Sequence, residues 1–293
     1  MSSERRWWIL AIVSLAVSCS PGAHGPGASA HDAATRPVDA SGGHLLLVGG
    51  GSRPDDVMRL FVELGGGADG RILVLPMASA DEDTGAFYED ELREHGAVHV
   101  ETLQVADRRD AMRPSALDAM NRATAVWFSG GDQSRIASRL VDTPLLEALV
   151  ALRARGGVIG GTSAGTACQS DPMLVGAGDE EVLERGNIGT TRGLGLFEGV
   201  VVDQHFVARR RQNRLLSVVL EHPTKIGLGI DEATAVWAKP DGTIEVLGEG
   251  PVFVFDAREA RVAEGRVLGA ANLRTAVLVP GQRYDLFRGV LVE

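Results

Sequence analysis

Four continuous apolar runs, each stopping abruptly at glycine or small polar residues, limit what this chain can fold into. They read HLLLVGGG from His44, RILVLPMASA from Arg71, ATAVWFSGGDQ from Ala123 and GVIGGTSAG from Gly157. Segments with helical spacing lie between them, at 55–64 and 84–95. Apolar strands that alternate with helices predict a mostly parallel sheet that is buried on both faces.

The C-terminal part of the chain follows a different pattern. From GTIEVLGEGPVFVFDAR at Gly242 onward, apolar and polar residues alternate in short stretches separated by turns. This pattern predicts antiparallel strands at the edge of the sheet, or a small β extension. We therefore expect residues 44–293 to form a three-layer α/β domain, with helices on both faces of the sheet and antiparallel C-terminal strands.

The first residues have the composition of a bacterial export signal. Arg5 and Arg6 precede an apolar run from Trp7 to Val17, which is too short to span a membrane comfortably. The run ends in LAVSC, which resembles a lipobox with Cys19 as the lipidated residue, although the usual leucine three positions earlier is alanine. The alternative is ordinary signal-peptidase cleavage nearby, after Ala23.

On this basis we expect residues 1–19 to be a lipoprotein signal and 20–43, rich in Pro, Gly, Ala and Ser, to be a flexible linker. The protein would then be exported and held at the cell envelope, in the periplasm or at the outer membrane, or be secreted. Its contact with a membrane would be through the lipid anchor alone.

Charge and cysteine content narrow the classes of partner. A net charge of −10 argues against non-specific binding of nucleic acid. Cys19 and Cys168 are the two cysteines, so a lipidated Cys19 would leave no intramolecular disulfide, and the sequence supports no zinc cluster. We expect Cys168 to be a small buried hydrophobic residue, and we expect no metal or cofactor.

The pattern GTSAG at 161–165 matches G-x-S-x-G, in which a strand turns sharply into a helix and exposes a nucleophilic serine, here Ser163. In a chain with 37 glycines such a match also arises by chance, as a tight turn that needs small residues. The apolar strand before the motif favours the nucleophile.

A serine nucleophile needs a base and an acid to orient that base. His205 follows the apolar strand GVVVD, at the carboxyl end where a parallel sheet would display it; the alternative is a strand-end histidine bonded to backbone. Asp231 and Glu232 follow another apolar strand, where capping the next turn is their alternative role. The order Ser–His–acid argues against a lipase or esterase.

The motifs FSGGDQSRI, GGTSAG, GLGLFEGVVVDQHFVARRRQNRLL and GLGIDEATAV together resemble the cyanophycinase family of serine peptidases. That family is related to peptidase E within the class I glutamine-amidotransferase-like fold. The resemblance extends from about Leu45 to Asp256 and rests on these four motifs in the family's order.

The resemblance implies roles for individual residues. Ser163 would be the nucleophile, His205 the general base and then acid, and Glu232 the residue that orients His205, with Asp231 the weaker candidate. In peptidase E the acid lies between serine and histidine, which leaves Asp179 or Glu180 as a more remote alternative.

Acyl transfer also needs donors for the developing oxyanion. The backbone N–H of Ala164, directly after the nucleophile, is the expected first donor. Gly131 in SGGDQ is the expected second, because a glycine lets its N–H approach closely. The same stretch reads equally as a strand-to-helix turn with Asp132 as N-cap, and both can hold together.

The arginine-rich stretch after His205 has two interpretations. A helix beginning near Phe206 would put Arg210 and Arg214 on one solvated face. The resemblance instead implies a substrate pocket formed by Gln133, Asp203, Gln204, Arg209, Arg211 and Arg214. Arg210 has no such match and is expected at the surface.

The resemblance implies cyanophycin as substrate, a poly-aspartate with arginine joined to each β-carboxyl, and β-aspartyl-arginine dipeptides as products of an acyl-enzyme on Ser163. Arginines suit the α-carboxylates of such a polymer, and Asp203 or other acids suit its guanidinium groups. The alternatives are a related peptidase for other α- or isoaspartyl peptides and a catalytically idle surface binding protein. Dimers are common in the family, so a homodimer is a further expectation.

Overall fold

The computed structural model describes residues 42–176, 178 and 181–293. The expected signal, the lipidation at Cys19 and the linker up to residue 41 lie outside these residues. So do Asp179 and Glu180, the remote alternatives for the catalytic acid. Within the described part of the chain, no helix has both the length and the apolar character needed to cross a membrane.

The helices of the described residues are short. They are α1 (Asp55–Leu64), α2 (Thr84–Glu94), α3 (Pro114–Arg122), α4 (Gln133–Leu140), α5 (Pro144–Ala154), α6 (Ala164–Ala167) and α7 (Gln212–Glu221). The first coincides with its predicted range, and the second ends one residue before the predicted end, with His95 as its C-cap.

The strands alternate with helices at first and then follow one another directly. They are β1 (Leu45–Val48), β2 (Arg71–Leu75), β3 (His99–Thr102), β4 (Ala125–Phe128), β5 (Val158–Thr162), β6 (Met173–Leu174), β7 (Thr190–Thr191), β8 (Val200–Gln204), β9 (Ile226–Ile230), β10 (Thr234–Ala238), β11 (Thr243–Gly248), β12 (Val252–Asp256), β13 (Arg261–Val262), β14 (Ala270–Ala271), β15 (Arg274–Leu278), β16 (Arg283–Asp285) and β17 (Val290–Val292).

The main sheet has the strand order β17-β16-β11-β10-β1-β5-β4-β2-β3. From β1 to β3 all neighbouring strands pair in parallel. From β1 to β17 all pairs are antiparallel. The predicted parallel sheet with antiparallel C-terminal strands is therefore confirmed.

Alternate side chains of β1 enter different hydrophobic clusters, as strand geometry requires. Leu45 and Leu47 pack with buried residues of α3, α4 and α5, whereas Leu46 and Val48 pack with those of α1 and α2. Helices thus cover both faces, which confirms the three layers.

The structure also contains a second sheet, of order β15-β12-β9-β8, in which β8 and β9 are parallel. The sequence patterns indicated one sheet with an extension and placed the strand before His205 in the parallel sheet. That placement is wrong, because β8 and β9 pair with each other and not with β1–β5. Gly229 in β9 makes room for the Phe206 ring, which a Cβ at this position would overlap.

The connection from β9 to β10 joins the two sheets. It contains residues 231–233, and β10 lies antiparallel beside β1. Residues after β9 are thereby brought to the same edge of the main sheet as the carboxyl ends of β1 and β5, where α/β proteins form their sites.

Candidate active site

Ser163 lies at a sharp turn between β5 and α6, with a φ of 52° and a ψ of −108°. Residues other than glycine rarely adopt this backbone conformation, because it is energetically costly. It is kept only where the surrounding structure enforces it. A Cβ at Gly161 would overlap the Gly165 carbonyl, and one at Gly165 would overlap the Phe128 carbonyl. The small residues of GTSAG therefore allow the turn that presents the serine.

His205 lies between Ser163 and Glu232. The serine Oγ is 2.9 Å from His205 Nε2, and His205 Nδ1 is 2.5 Å from Glu232 Oε1. A carboxylate accepts the Nδ1 proton, so Nε2 is left to accept the proton of the serine. The arrangement is that of a Ser–His–Glu triad.

Three consecutive carbonyl groups at the end of β1 hold the three segments of this triad. The Val48 carbonyl accepts from Ser163 N–H at 3.0 Å, and that of Gly49 from His205 N–H at 2.7 Å. The Gly50 carbonyl accepts from Ala233 N–H, next to Glu232, at 3.0 Å. The end of β1 therefore sets where nucleophile, base and acid lie relative to each other.

The glycines of this segment are needed for close approach. A Cβ at Gly50, whose φ is 109°, would overlap the His205 imidazole. One at Gly51 would lie 3.0 Å from Glu232 Cβ. Sequence reasoning treated VGGG only as the end of a strand and missed this role. The available signal was a run of three glycines at the carboxyl end of a strand predicted to lie in the parallel sheet.

The pKa of His205 is lowered, chiefly because burial disfavours the charged imidazolium. The hydrogen bond and charge of Glu232 oppose this shift, while the charges of Arg209 and Arg211 add to it. The imidazole is thus neutral near pH 7, the form in which it can accept the proton of Ser163.

The two expected oxyanion donors belong to Ala164, which follows Ser163 in the chain, and to Gly131, which lines the same cavity as Ser163. Among the described residues, neither the Ala164 N–H, at the start of α6, nor the Gly131 N–H has a hydrogen-bond acceptor. Gly131 has a φ of 135°, and a Cβ there would overlap the Ala78 carbonyl. Asp132 caps α4 by accepting from Ser134 N–H at 2.8 Å, so the turn also has the structural role foreseen for it.

Asp231 does not contact His205 through its carboxylate. Its Oδ1 accepts from the backbone N–H groups of Val207 and Ala208, each at 3.0 Å. It therefore holds the turn that follows the histidine, and Glu232 occupies the orienting position.

A cavity of about 430 Å³ opens beside the nucleophile. It is lined by Gly131, Asp132, Gln133, Ser134, Ser163, Gly176, Gln204, Arg209, Arg211 and Arg214. Every predicted substrate-pocket residue except Asp203 thus faces one cavity with Ser163. Arg209 is exposed and contacts no carboxylate among the described residues, so it is available to an anion.

Asp203 does not line this cavity and is 1% exposed. Its carboxylate accepts from Arg214 Nε at 2.9 Å and Arg214 Nη2 at 2.5 Å, and lies 3.4 Å from Arg211 Nη1. The expectation that Asp203 meets a substrate guanidinium is therefore corrected. A buried carboxylate needs a cationic partner, and here the chain's own arginines supply it.

The two glutamines present amide groups to the cavity. Gln133 donates from Nε2 to the Leu174 carbonyl at 2.9 Å, which orients its amide. Gln204 is buried, and its Oε1 has no partner among the described groups. A buried acceptor of this kind favours a ligand that brings an N–H donor.

The arginine-rich segment is a turn and not the start of a helix. Residues 206–211 form turns, and α7 begins at Gln212. Of the two interpretations, the helix beginning near Phe206 is therefore excluded: the chain bends back after β8, and Arg210 has a φ of 55°. Arg210 is exposed and does not line the cavity, whereas Arg214, in the first turn of α7, is buried.

Cys168 lies five residues after the nucleophile and takes no part in the triad. Its thiol is buried, and burial raises its pKa, so it is not a reactive thiolate. Among the described residues, no group of three or more His, Cys, Asp or Glu side chains could hold a metal ion.

Comparison with known sequences agrees with this geometry. Residues 45–246 match the sequence profile of Peptidase family S51. This chain belongs to peptidase family S51. It is 38% identical over 255 residues to the cyanophycinase of Synechococcus elongatus, covering 83% of this chain and 79% of that protein. It is 34% identical over 256 residues to the cyanophycinase of Trichormus variabilis, covering 83% and 86%.

Solved structures show the same fold. A peptidase from an acI-B1 Actinobacterium superposes with a TM-score of 0.64 at 25% identity, over 85% of this chain and 98% of that one. A putative peptidase E protein from Listeria monocytogenes EGD-e superposes with a TM-score of 0.52 at 16% identity, over 71% and 99%. Family membership and the homologues make this S51 chain a serine peptidase.

Replacing Gly50 by alanine should displace the imidazole and slow the labelling of Ser163 by a fluorophosphonate at least about 100-fold, because small misplacements of a catalytic group are costly. Gly96→Ala is the matched control, since Gly96 has a similar φ of 103° but open space around its Cβ position. Equal labelling of both variants would contradict the positioning role of Gly50.

The Glu232→Gln variant should lose activity on the order of 10³–10⁴-fold, because the amide cannot stabilise the imidazolium. In the parent, kcat/KM should rise with pH through an ionisation below 6.5, the ordinary value for histidine. Since Glu232 raises the pKa of His205, its removal should move this acidic limb to still lower pH.

The pH dependence of kcat/KM for parent and variant measures this. Glu249→Gln, the same change at an exposed position on a neighbouring loop, should keep the parent profile. A limb that moves to higher pH in Glu232→Gln would show that another group titrates.

Proposed function

We propose that this protein is an exported cyanophycin-degrading serine peptidase, which releases β-aspartyl-arginine dipeptides through an acyl-enzyme on Ser163. The observation that carries the proposal is the triad of Ser163, His205 and Glu232 opening onto a cavity lined by arginines. Homology to proteins named cyanophycinase, at 34–38% identity, supports the substrate class.

In the first half of the reaction, Ser163 Oγ attacks a backbone carbonyl of the poly-aspartate chain while its proton passes to His205 Nε2. Glu232 stabilises the imidazolium through Nδ1. The oxyanion accepts hydrogen bonds from the N–H groups of Ala164 and Gly131, which lack other acceptors among the described groups. Collapse of the intermediate breaks the C–N bond, and His205 gives its proton to the leaving amine.

In the second half, water replaces the amine. His205, now neutral, takes a proton from the water, and the hydroxide attacks the acyl carbonyl. The second intermediate collapses, the ester bond to Ser163 breaks, and the imidazolium returns the proton to the serine oxygen. The lowered pKa of His205 suits this cycle, because the base is neutral at the start of each half.

The charges around the cavity suit a zwitterionic branched polymer. Arg209 has no carboxylate partner within the described residues and can pair with the α-carboxylate of an arginyl branch. Asp132, which lines the same cavity, can meet a guanidinium, while Gln204 Oε1 can accept from an amide N–H. The buried Asp203 carboxylate contacts Arg211 and Arg214 and so fixes where these two arginines line the cavity.

The decisive experiment incubates residues 41–293 with insoluble cyanophycin and measures soluble dipeptide by mass spectrometry. The parent should release β-aspartyl-arginine, and Ser163→Ala should release none above background. If the parent is labelled by a fluorophosphonate but releases nothing, the substrate is a different peptide. If it is not labelled either, the protein is a catalytically idle binding protein.

Two neighbouring arginines test the pocket in the same assay. Both Arg209 and Arg210 are exposed, but only Arg209 lines the cavity. Arg209→Gln should raise KM about tenfold or more, because a charge-assisted hydrogen bond to the substrate is lost, whereas Arg210→Gln should match the parent. Equal effects of the two changes would count against a carboxylate subsite at Arg209.

Export and lipid anchoring rest on residues 1–43. The arginines before the apolar run and the LAVSC sequence ending at Cys19 support a lipoprotein signal. We propose that Cys19 becomes the lipidated first residue and that the linker after it separates the folded domain from the membrane surface. The enzyme would then act on polymer outside its own cytoplasm.

Growth of expressing bacteria with labelled palmitate should label the parent and Cys168→Ser, but not Cys19→Ser, because Cys168 is buried and cannot be acylated. Fractionation should find the parent with membranes. An unlabelled parent whose N-terminus, read by mass spectrometry, follows Ala23 would instead establish ordinary cleavage.

A further inference from the structure

A second cavity, of about 450 Å³, lies next to the active-site cavity. Ser134 lines both, and Val175 in the second is followed directly by Gly176 in the first. None of the residues in the proposed catalytic triad lines this second cavity. The two cavities therefore adjoin at Ser134, in the first turn of α4.

The second cavity follows one face of α4. Its lining includes Ser134, Ala137, Ser138 and Val141, which have the spacing of a single helix face. At about 1.5 Å per residue, the seven steps from Ser134 to Val141 extend roughly 10 Å. An extended chain advances about 3.3 Å per residue, so this length matches about three residues of a polymer.

Two arginines give this cavity an excess of positive charge. Arg108 donates to the carbonyls of Val141 at 2.6 Å and Asp142 at 3.1 Å, and it contacts no carboxylate among the described residues. Arg192 forms a two-point pair with the Asp142 carboxylate, at 2.8 and 3.0 Å. One of the two positive charges therefore lacks a counter-charge, and a ligand carboxylate would supply it.

The remaining residues that line this cavity suit the methylene groups of a ligand. Ala137, Val141 and Val175 contribute apolar surface, and the hydroxyl groups of Ser138 and Thr191 lie among them. A ligand that fits carries a carboxylate close to a chain of methylene groups, as an arginine joined through its α-amino group does.

We propose that this second cavity, here named the α4 groove, binds arginyl branches of substrate residues two or more positions from the scissile bond. Arg108 would take the α-carboxylate, with the Arg192–Asp142 pair beside it, and the apolar residues would take the side-chain methylenes. The groove makes the enzyme prefer long chains to short ones, because only a long chain fills both cavities. This inference rests on the proposed function.

The test measures kcat/KM of the intact protein for soluble cyanophycin and for the shortest oligomer of β-aspartyl-arginine that the parent hydrolyses. Ser138→Trp fills the groove from an exposed position on α4. Arg192→Gln leaves the Asp142 carboxylate without its cation, so that it repels a ligand carboxylate in the groove. The controls lie outside both cavities: Val150→Trp places a bulky group at an exposed position on α5, and Arg109→Gln breaks the neighbouring exposed pair with Asp107.

The ratio of polymer to oligomer kcat/KM should fall about tenfold in Ser138→Trp, and about threefold in Arg192→Gln, as for the loss of a partly exposed ion pair. Both controls should keep the parent ratio. Unchanged ratios, or equal losses of kcat/KM on both substrates, would overturn the proposed role of the α4 groove. The proposed function would stand.

If Ser138→Trp fails to fold, as judged by circular dichroism, Arg192→Gln decides alone, because its side chain is 65% exposed and tolerates replacement. A parent that hydrolyses neither substrate would overturn the proposed function, and this inference with it.

Discussion

The carbonyl groups of Val48, Gly49 and Gly50 hold together an active site that is drawn from distant parts of the chain. Each accepts one backbone N–H from a different catalytic segment, at 2.7 to 3.0 Å. All three donor residues, Ser163, His205 and Ala233, have a positive φ, of 52°, 51° and 51°. Such backbone is costly, and these hydrogen bonds together with the packing around them enforce it.

This constraint also explains how two sheets make one site. β1 and β5 belong to the main sheet, whereas His205 follows β8 in the second sheet. The glycines after β1 let the main sheet approach closely enough for the imidazole to fit between Ser163 and Glu232. The turn after His205, held by Asp231, then directs Arg209 to the cavity. His205, Ser163 and an arginine that lines the cavity are therefore positioned by one set of contacts.

Much of the fold and part of the site were predictable from local pattern. The apolar runs located β1, β2, β4 and β5, because a buried strand needs apolar side chains on both faces. The GTSAG motif singled out Ser163, and positions after apolar strands singled out His205 and the pair Asp231 and Glu232. The resemblance to a known family then favoured Glu232 over Asp231. By contrast, local pattern placed β8 in the main sheet and left open a helix from Phe206, since strand partners and the direction of a turn depend on contacts with remote segments.

What the sequence by itself determined was the order of strands and helices, the position of the nucleophile and the residue types available to the site. These depend on neighbours within a few positions along the chain. Only the tertiary structure decided that Asp203 pairs with the chain's own arginines, that Gly50 accommodates the imidazole and that a second cavity along α4 adjoins the first at Ser134. Each of these depends on which side chains share a volume, and residues that lie far apart in sequence become neighbours only when the sheets pack.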